Sequence, residues 1–240
     1  MAEVVPPIAL VNGTIVLPDR LVQGHAVLVE EGTIRAICAA GDVPQDVIYV
    51  DVGGRLIAPG LVDIHIHGAQ GASFNAGTVE AFGTILTECA RAGVTSVLAT
   101  TATAPISQLV ACLETAQAWM ASPGAGANLL GVHVEGPYFA LSQAGAQDPA
   151  NIRNPADGEY ERLLTYHNAI RIFTYAPELP GAAELTRRLG ELGIVAAAGH
   201  SAAREQDIEP HFALGCAISS TFGVGSLPRC ARGRGASLGC

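Results

Sequence analysis

An alternation of apolar and polar residues over Leu61–His67 predicts a β-strand. Side chains of a strand point to opposite faces in turn, so this strand has one apolar face and one face that carries two histidines. The apolar face takes Val62, Ile64 and Ile66, and the other takes Leu61, Asp63, His65 and His67. Pro59-Gly60 precedes the strand and Gly68 follows it, which places both histidines at its carboxyl end.

From Leu61 onward, strand patterns alternate with helix patterns six times. This alternation is typical of a parallel sheet in an α/β fold, and most simply of a (β/α) barrel. About six strands are predicted, so a barrel of the usual eight strands is incomplete. The later predicted strands are Val94–Thr100, Leu129–Glu135, Ala169–Tyr175, Ile194–Ala198 and Cys216–Thr221, and the predicted helices are Val79–Cys89, Ile106–Met120, Pro155–His167, Ala182–Leu192 and Ala202–Leu214.

The two ends of the chain differ from this middle part, and three segments are predicted: 1–57, 58–222 and 223–240. The first reads as short strands joined by turns, with hairpin signals at Asn12-Gly13 and at Glu30-Glu31-Gly32. The last contains five Gly, three Arg, two Cys and no acidic residue, without helical or strand periodicity. We expect an irregular tail there, which fits a longer gene that is truncated or frame-shifted after about residue 221.

Composition narrows the class of protein. The chain of 240 residues has a formal charge of -9, which gives no electrostatic reason to expect nucleic acid or an anionic membrane as a partner. Its six cysteines are scattered without a C-x-x-C pair, so we expect reduced thiols, as in proteins of a reducing compartment. No signal peptide and no long apolar run is found, so we expect a cytoplasmic protein.

Histidine and glutamate occur at the ends of three predicted strands. His65 and His67 end the first, His133 and Glu135 share one face of another, and His200 follows Ala196–Gly199. Each alone has an ordinary interpretation, as a capping or solvated side chain. In a parallel barrel these ends meet at one mouth, so a shared metal site explains them better.

Polar residues at other strand ends are less decisive. Glu178 either orients a ligand or caps the following helix, and capping is the simpler interpretation. Hydroxyls of Thr100, Thr101 and Thr103 are expected to satisfy loop backbone. His25, His167 and His211 lie away from the strand ends and are interpreted as structural or exposed.

Taken in order, five motifs resemble the N-acetylglucosamine-6-phosphate deacetylases of the amidohydrolase superfamily. They are Ala-Pro-Gly-Leu-Val-Asp-Ile-His-Ile-His-Gly, His-Val-Glu-Gly-Pro-Tyr, Gly-Ala-Gln-Asp-Pro, Ala-Pro-Glu and Ala-Gly-His-Ser. The resemblance runs from about residue 8 to about residue 220. His-x-His marks the superfamily broadly, whereas His-x-Glu-Gly-Pro with Ala-Gly-His-Ser is more specific to the deacetylases.

The resemblance implies a metal-dependent (β/α) TIM-like barrel with a small β-sandwich domain to which residues 1–57 contribute. It implies one or two divalent metal ions, zinc above all, held by Glu135 and His200 and by His65 with His67. Ala146 and Gln147 fall where the family contacts its substrate, a phosphorylated amino sugar. The implied reaction hydrolyses the N-acetyl amide of N-acetylglucosamine 6-phosphate, and the implied assembly is a homodimer.

The chain also departs from the family pattern. A further metal-binding histidine is expected about where Ser219-Ser220-Thr221-Phe222 stands, and the family's catalytic Asp would lie beyond Cys240. We therefore expect no catalytic residue and little turnover in this chain by itself. The alternatives are a deacetylase for N-acetylgalactosamine 6-phosphate, a dihydroorotase-like enzyme or amino-acid deacylase, or a non-catalytic remnant that binds metal or phosphosugar. The dihydroorotase-like and deacylase alternatives are disfavoured because they usually use a barrel lysine, and the chain has no Lys.

Overall fold

The computed structural model describes residues 6–221, with side chains as far as residue 216. The predicted irregular tail at 223–240 lies outside the described residues. The chain divides into two compact units between Gly60 and Leu61. None of the helices in the described part has the length and apolarity needed to span a bilayer.

The first unit consists of two small sheets. A four-stranded sheet has the order β5-β4-β1-β6, and a three-stranded sheet has the order β3-β2-β7. Its strands are β1 (Ile8–Val11), β2 (Thr14–Val16), β3 (Leu21–Val22), β4 (His25–Glu30), β5 (Thr33–Ala39), β6 (Ile48–Asp51) and β7 (Leu56–Ile57). Its buried core is small and is built on Ala9, Ala26 and Val43.

One of the two predicted hairpins is confirmed. β4 and β5 pair antiparallel around Glu31-Gly32, and both turn residues have positive φ, at 49° and 72°. The hairpin prediction at Asn12-Gly13 is wrong, because β1 and β2 belong to different sheets. Gly13 is needed for close packing instead, since a Cβ there would lie 2.6 Å from a side-chain carbon of Val52.

The second unit alternates strands with helices around a six-stranded sheet. Its order is β15-β14-β13-β12-β11-β8, and every neighbouring pair is parallel, as predicted. Its elements are β8 (Leu61–Ile66), β9 (Gly68–Ala69), β10 (Ala72–Ser73), α1 (Val79–Arg91), β11 (Val94–Thr100), α2 (Ile106–Ala121), β12 (Asn128–Glu135), α3 (Tyr160–Leu164), β13 (Ile170–Tyr175), α4 (Ala182–Glu191), β14 (Val195–Gly199), α5 (Glu205–Ala213) and β15 (Cys216–Thr221).

The apolar stripes of α1 and α2 pack against this sheet. Phe82 of α1 is fully buried, with its ring 4.8 Å from that of Phe74. The Thr78 hydroxyl caps α1 by accepting a hydrogen bond from the Ala81 amide, and Gly93 follows the helix with φ 84°. The resulting core is continuous from α1 to β14 and holds the strands at fixed positions.

The predicted helix Pro155–His167 is wrong over most of its length. Only Tyr160–Leu164 is α-helical, after a short 3-10 turn at Pro155–Asp157. Gly158 separates the two with φ 72°, a left-handed conformation that a continuous helix does not allow. The predicted helix Ala202–Leu214 is present as α5, with Pro210 inside it.

The sheet curls, so side chains of strands that are not neighbours meet inside the curve. The Nδ1 atom of His133 on β12 lies 3.1 Å from the Ile64 carbonyl oxygen on β8, although β11 lies between these strands. Neighbouring strands are about 4.8 Å apart, so a flat sheet would keep β8 and β12 about 10 Å apart. Within the described residues the second unit is thus a curled parallel half-barrel, and the first unit is a small strand domain.

Candidate metal centre

A buried carboxylate lies at the centre of the predicted strand-end cluster. Glu135 ends β12 and is 2% exposed. Its Oε1 atom is 3.3 Å from His65 Nε2 and 3.4 Å from His200 Nε2, and its Oε2 atom is 3.2 Å from His67 Nε2. The structure therefore brings together the four residues predicted to hold a metal, and their role as ligands stays a prediction.

Three strands position these side chains. His65 and His67 have the two-residue spacing that keeps both on one face at the end of β8. His200 directly follows β14 and adopts φ 46°, which is uncommon for a residue with a side chain. Its carbonyl oxygen accepts a hydrogen bond from the Ala140 amide, and its Nδ1–H donates to the Gln143 carbonyl at 2.9 Å. These two contacts secure the unusual backbone and aim Nε2 at Glu135.

Charge in the cluster favours an ionised carboxylate. Burial by itself raises the pKa of Glu135, but hydrogen bonds from His65 and His67 outweigh burial and hold that pKa well below its usual value. The hydrogen bond to Glu135 in turn raises the pKa of His65. Without a cation the cluster is a network of imidazoles around one carboxylate.

The donor set fits a divalent cation of the zinc type. Ligand atoms of His65, His67 and Glu135 all lie within 4.8 Å of one another, so one ion can contact all three. Imidazole nitrogen and carboxylate oxygen are both zinc ligands. His200 donates through Nδ1, which leaves Nε2 as the ring atom with a free lone pair. The buried Nδ1 atom of His67 has no hydrogen-bond partner among the described residues.

His133 shares the face of Glu135 but is engaged elsewhere. Its Nδ1–H donates to the Ile64 carbonyl, and its Nε2 accepts from the Thr174 hydroxyl at 2.7 Å. Burial lowers its pKa to about 4, so the ring is neutral at physiological pH. His133 therefore links β12 to β8 by a hydrogen bond and keeps these two strands close together.

The neighbouring polar residues follow the sequence expectations only in part. Thr101 accepts a hydrogen bond from the Glu135 amide at 3.2 Å, as expected of a hydroxyl that satisfies backbone. The interpretation of Glu178 as a helix cap is wrong: its carboxylate accepts from the Ser201 hydroxyl and the Ala202 amide, at 2.7 and 2.6 Å. Glu178 therefore anchors the loop that carries His200, a role that no local sequence signal indicates.

The two predicted substrate contacts have different surroundings. Ala146 is exposed, whereas Gln147 is buried and donates from Nε2 to Glu135 Oε2 at 2.9 Å. Sequence reasoning missed this contact because the residues are separated along the chain by a loop with no regular pattern. Ala146 and Gln147 remain predicted substrate contacts.

Comparison with known proteins agrees with the two-unit division. The NagA composite domain matches residues 8–57, and the amidohydrolase family matches residues 56–208. The chain belongs to the amidohydrolase family. Its second unit carries most of that match, including the His-x-His strand, Glu135 and His200.

Relatives of this amidohydrolase are deacetylases of phosphorylated amino sugars. The chain is 31% identical over 192 residues to the N-acetylgalactosamine-6-phosphate deacetylase of Escherichia coli O157:H7, covering 80% of this chain and 50% of that protein. It is 34% identical over 187 residues to the N-acetylglucosamine-6-phosphate deacetylase of Vibrio furnissii, covering 78% and 47%. The chain thus spans about half the length of the curated relatives it matches.

Solved structures show the same similarity. The N-acetylglucosamine-6-phosphate deacetylase of Pasteurella multocida superposes with a TM-score of 0.82 at 26% identity, covering 89% of this amidohydrolase and 56% of that chain. A mutant deacetylase from Mycobacterium smegmatis, in complex with N-acetyl-D-glucosamine-6-phosphate, superposes with a TM-score of 0.76 at 26% identity, covering 89% and 54%.

Proposed function

We propose that this amidohydrolase takes part in the metal-dependent deacetylation of N-acetylglucosamine 6-phosphate, which yields glucosamine 6-phosphate and acetate. The observation that carries the proposal is the buried Glu135 carboxylate with three imidazole nitrogens within 3.4 Å of its oxygens. The names of the relatives supply the substrate class. The sheet is proposed to form part of a (β/α) barrel, and the assembly to be a homodimer.

The ligand roles are assigned by position and chemistry. Glu135 and His200 would hold one zinc ion, and His65 with His67 would bind the same ion or a second one. A zinc ion in such a site supplies Lewis acidity toward an amide carbonyl and lowers the pKa of a coordinated water. The chain's own contribution is to fix the donors: His200 through the Gln143 carbonyl, and the β8–β12 spacing through His133.

A second candidate substrate is N-acetylgalactosamine 6-phosphate. It is favoured by the relative from Escherichia coli O157:H7, whose name specifies that sugar. The two sugars differ in the configuration of one hydroxyl group, so the same metal site serves either. Substrate contacts other than the metal ligands decide between the two sugars, and Ala146 and Gln147 are the proposed substrate contacts.

Metal binding and substrate binding test the proposal separately from turnover. Zinc titration by calorimetry is expected to show binding to the wild-type chain, and loss of most of it in Glu135→Gln. Glu80→Gln, an exposed glutamate in the first turn of α1, is the matched control and is expected to bind zinc normally. Zinc at 100 times its dissociation constant should stabilise the fold by about 2.7 kcal/mol.

The sugar phosphates are then titrated into the zinc-loaded chain, and acetate release is recorded in the same samples. Binding of N-acetylglucosamine 6-phosphate that requires zinc and is lost in Glu135→Gln supports the proposal. Tighter binding of the galactosamine derivative would select the second candidate. Absence of zinc binding by the wild-type chain, or equal binding by Glu135→Gln, would refute the metal centre.

A further inference from the structure

Gln147 is the buried polar residue of the segment that follows β12. It is 7% exposed, whereas Ala146 and Asp148 on either side are exposed. Its own amide N–H donates to the Ala144 carbonyl at 2.9 Å, which forms a tight turn. The turn directs the Gln147 side chain inward, toward the ends of β11 and β12.

We propose that Gln147 is a positioning residue that holds the Glu135 carboxylate in place for the metal. The amide orientation follows from its contacts. Gln147 Oε1 accepts a hydrogen bond from the Thr103 backbone amide at 2.7 Å, and a backbone N–H can only donate. The Nε2 atom must therefore face Glu135, and it donates to Oε2 at 2.9 Å.

This bridge engages one carboxylate oxygen and leaves the other to two of the three imidazoles. Oε2 receives the hydrogen bond from Gln147 and also faces His67 Nε2 at 3.2 Å, while Oε1 faces His65 and His200. Thr103 lies just beyond the end of β11, so Gln147 ties the Glu135 carboxylate to the backbone that follows that strand. Hydrogen-bond partners of this kind orient metal ligands and are typically worth 10- to 100-fold in metal affinity.

The inference rests on the proposed metal site and gives Gln147 a role besides the substrate contact implied by the family resemblance. Its carbonyl and one of its two N–H groups are already engaged with Thr103 and Glu135. A role limited to the sugar would leave both of these short contacts unexplained. The two roles differ in what a substitution changes: metal affinity in one case, sugar affinity alone in the other.

The experiment measures metal binding to the full chain without reference to activity. Gln147→Met keeps the length of the side chain and removes both hydrogen bonds. Gln147→Glu keeps the acceptor for the Thr103 amide and places a second carboxylate against Glu135. The matched control is Gln108→Met on α2, where a glutamine amide donates to the Asn75 carbonyl at 2.9 Å and Glu135 is not contacted. Calorimetry gives zinc affinity, and the visible absorption of bound Co²⁺ reports ligand geometry.

We expect about 10- to 100-fold weaker zinc binding and an altered Co²⁺ spectrum in Gln147→Met. Gln147→Glu is expected to change the spectrum as well, although it retains the contact to the Thr103 amide. Gln108→Met should match wild type in both readouts. Urea midpoints recorded without metal show whether each variant is folded. If Gln147→Met is not folded, Gln147→Glu tests the inference in its place.

Two results would overturn the inference, and they are distinguishable. Wild-type zinc affinity and spectrum in both Gln147 variants, with weaker binding of N-acetylglucosamine 6-phosphate alone, would restrict Gln147 to substrate contact and leave the proposed function intact. A wild-type chain that binds neither Zn²⁺ nor Co²⁺ would refute the metal centre, and the positioning role with it.

Discussion

Replacement of Gly136 by alanine should both destabilise the fold and disturb the proposed metal site. Gly136 directly follows Glu135 and has φ 85°. A Cβ added there would lie 2.5 Å from Thr103 Oγ1 and 2.7 Å from a ring carbon of Phe139. Real Cβ atoms do not approach neighbours so closely, so the backbone of one or both segments must move.

The expected loss has two parts. An L-residue in the left-handed region costs roughly 1–2 kcal/mol, because its Cβ crowds the backbone. Forcing extra atoms into a packed interior costs typically about 1–3 kcal/mol more. Gly136→Ala should therefore lower the free energy of unfolding by about 2–5 kcal/mol in total.

Gly158→Ala is the matched control. Gly158 has φ 72°, but a Cβ there would meet no atom within 4 Å. Only the backbone part of the cost applies, so the expected loss is about 1–2 kcal/mol. The difference between the two variants isolates the steric part.

Urea denaturation gives the free energy of unfolding of both variants, provided that its dependence on urea concentration is unchanged. Zinc calorimetry then gives the effect on the proposed metal site. The Phe139 ring is 4.5 Å from the His200 ring, and the Thr103 amide holds Gln147, so a shift of either segment reaches a proposed ligand. Weaker zinc binding is expected in Gly136→Ala and normal binding in Gly158→Ala. Equal losses of stability in the two variants would refute the steric argument, and unchanged zinc affinity in Gly136→Ala would refute the link to the site.

Two further predictions concern the surroundings of the site. Glu178→Ala removes two hydrogen bonds to a carboxylate, so it should lower the free energy of unfolding by about 2–3 kcal/mol, as measured by urea denaturation. It should also weaken zinc binding, because the loop that carries His200 is released. An unchanged urea midpoint would contradict this prediction. His211 is buried with its Nδ1 2.6 Å from the Thr186 hydroxyl, and burial lowers its pKa. The unfolded chain therefore takes up the proton first as pH falls below about 6.5, and stability should fall there. Wild type should lose more stability than His211→Gln between about pH 8 and pH 5.5, and a larger loss in the variant would show the opposite sign.

The sequence by itself determined which strand ends carry the chemistry. Alternation of side chains over Leu61–His67 sets two imidazoles on one face, and the same alternation over Leu129–Glu135 sets His133 and Glu135 on one face at the end of another strand. Parallel strands separated by helices bring their carboxyl ends to one edge. These rules depend only on local periodicity and connection type, so the cluster of His65, His67, Glu135 and His200 could be anticipated.

Local rules fail where a residue's partner is distant along the chain. Asn12-Gly13 has the composition of a hairpin turn, but β1 and β2 belong to separate sheets because each pairs with different later strands. Glu178 has the position of a helix cap, but the loop after β14 brings the Ser201 hydroxyl to its carboxylate.

Only the tertiary structure decided the role of the irregular segment after β12. The Gln147 side chain meets Thr103 and Glu135, which lie 44 and 12 residues away, at the carboxyl ends of β11 and β12, which are neighbouring parallel strands. No periodicity encodes that approach. The alternation of side chains thus predicted which residues cluster, whereas the contacts that hold them in place depend on the path of loops whose sequence has no regular pattern.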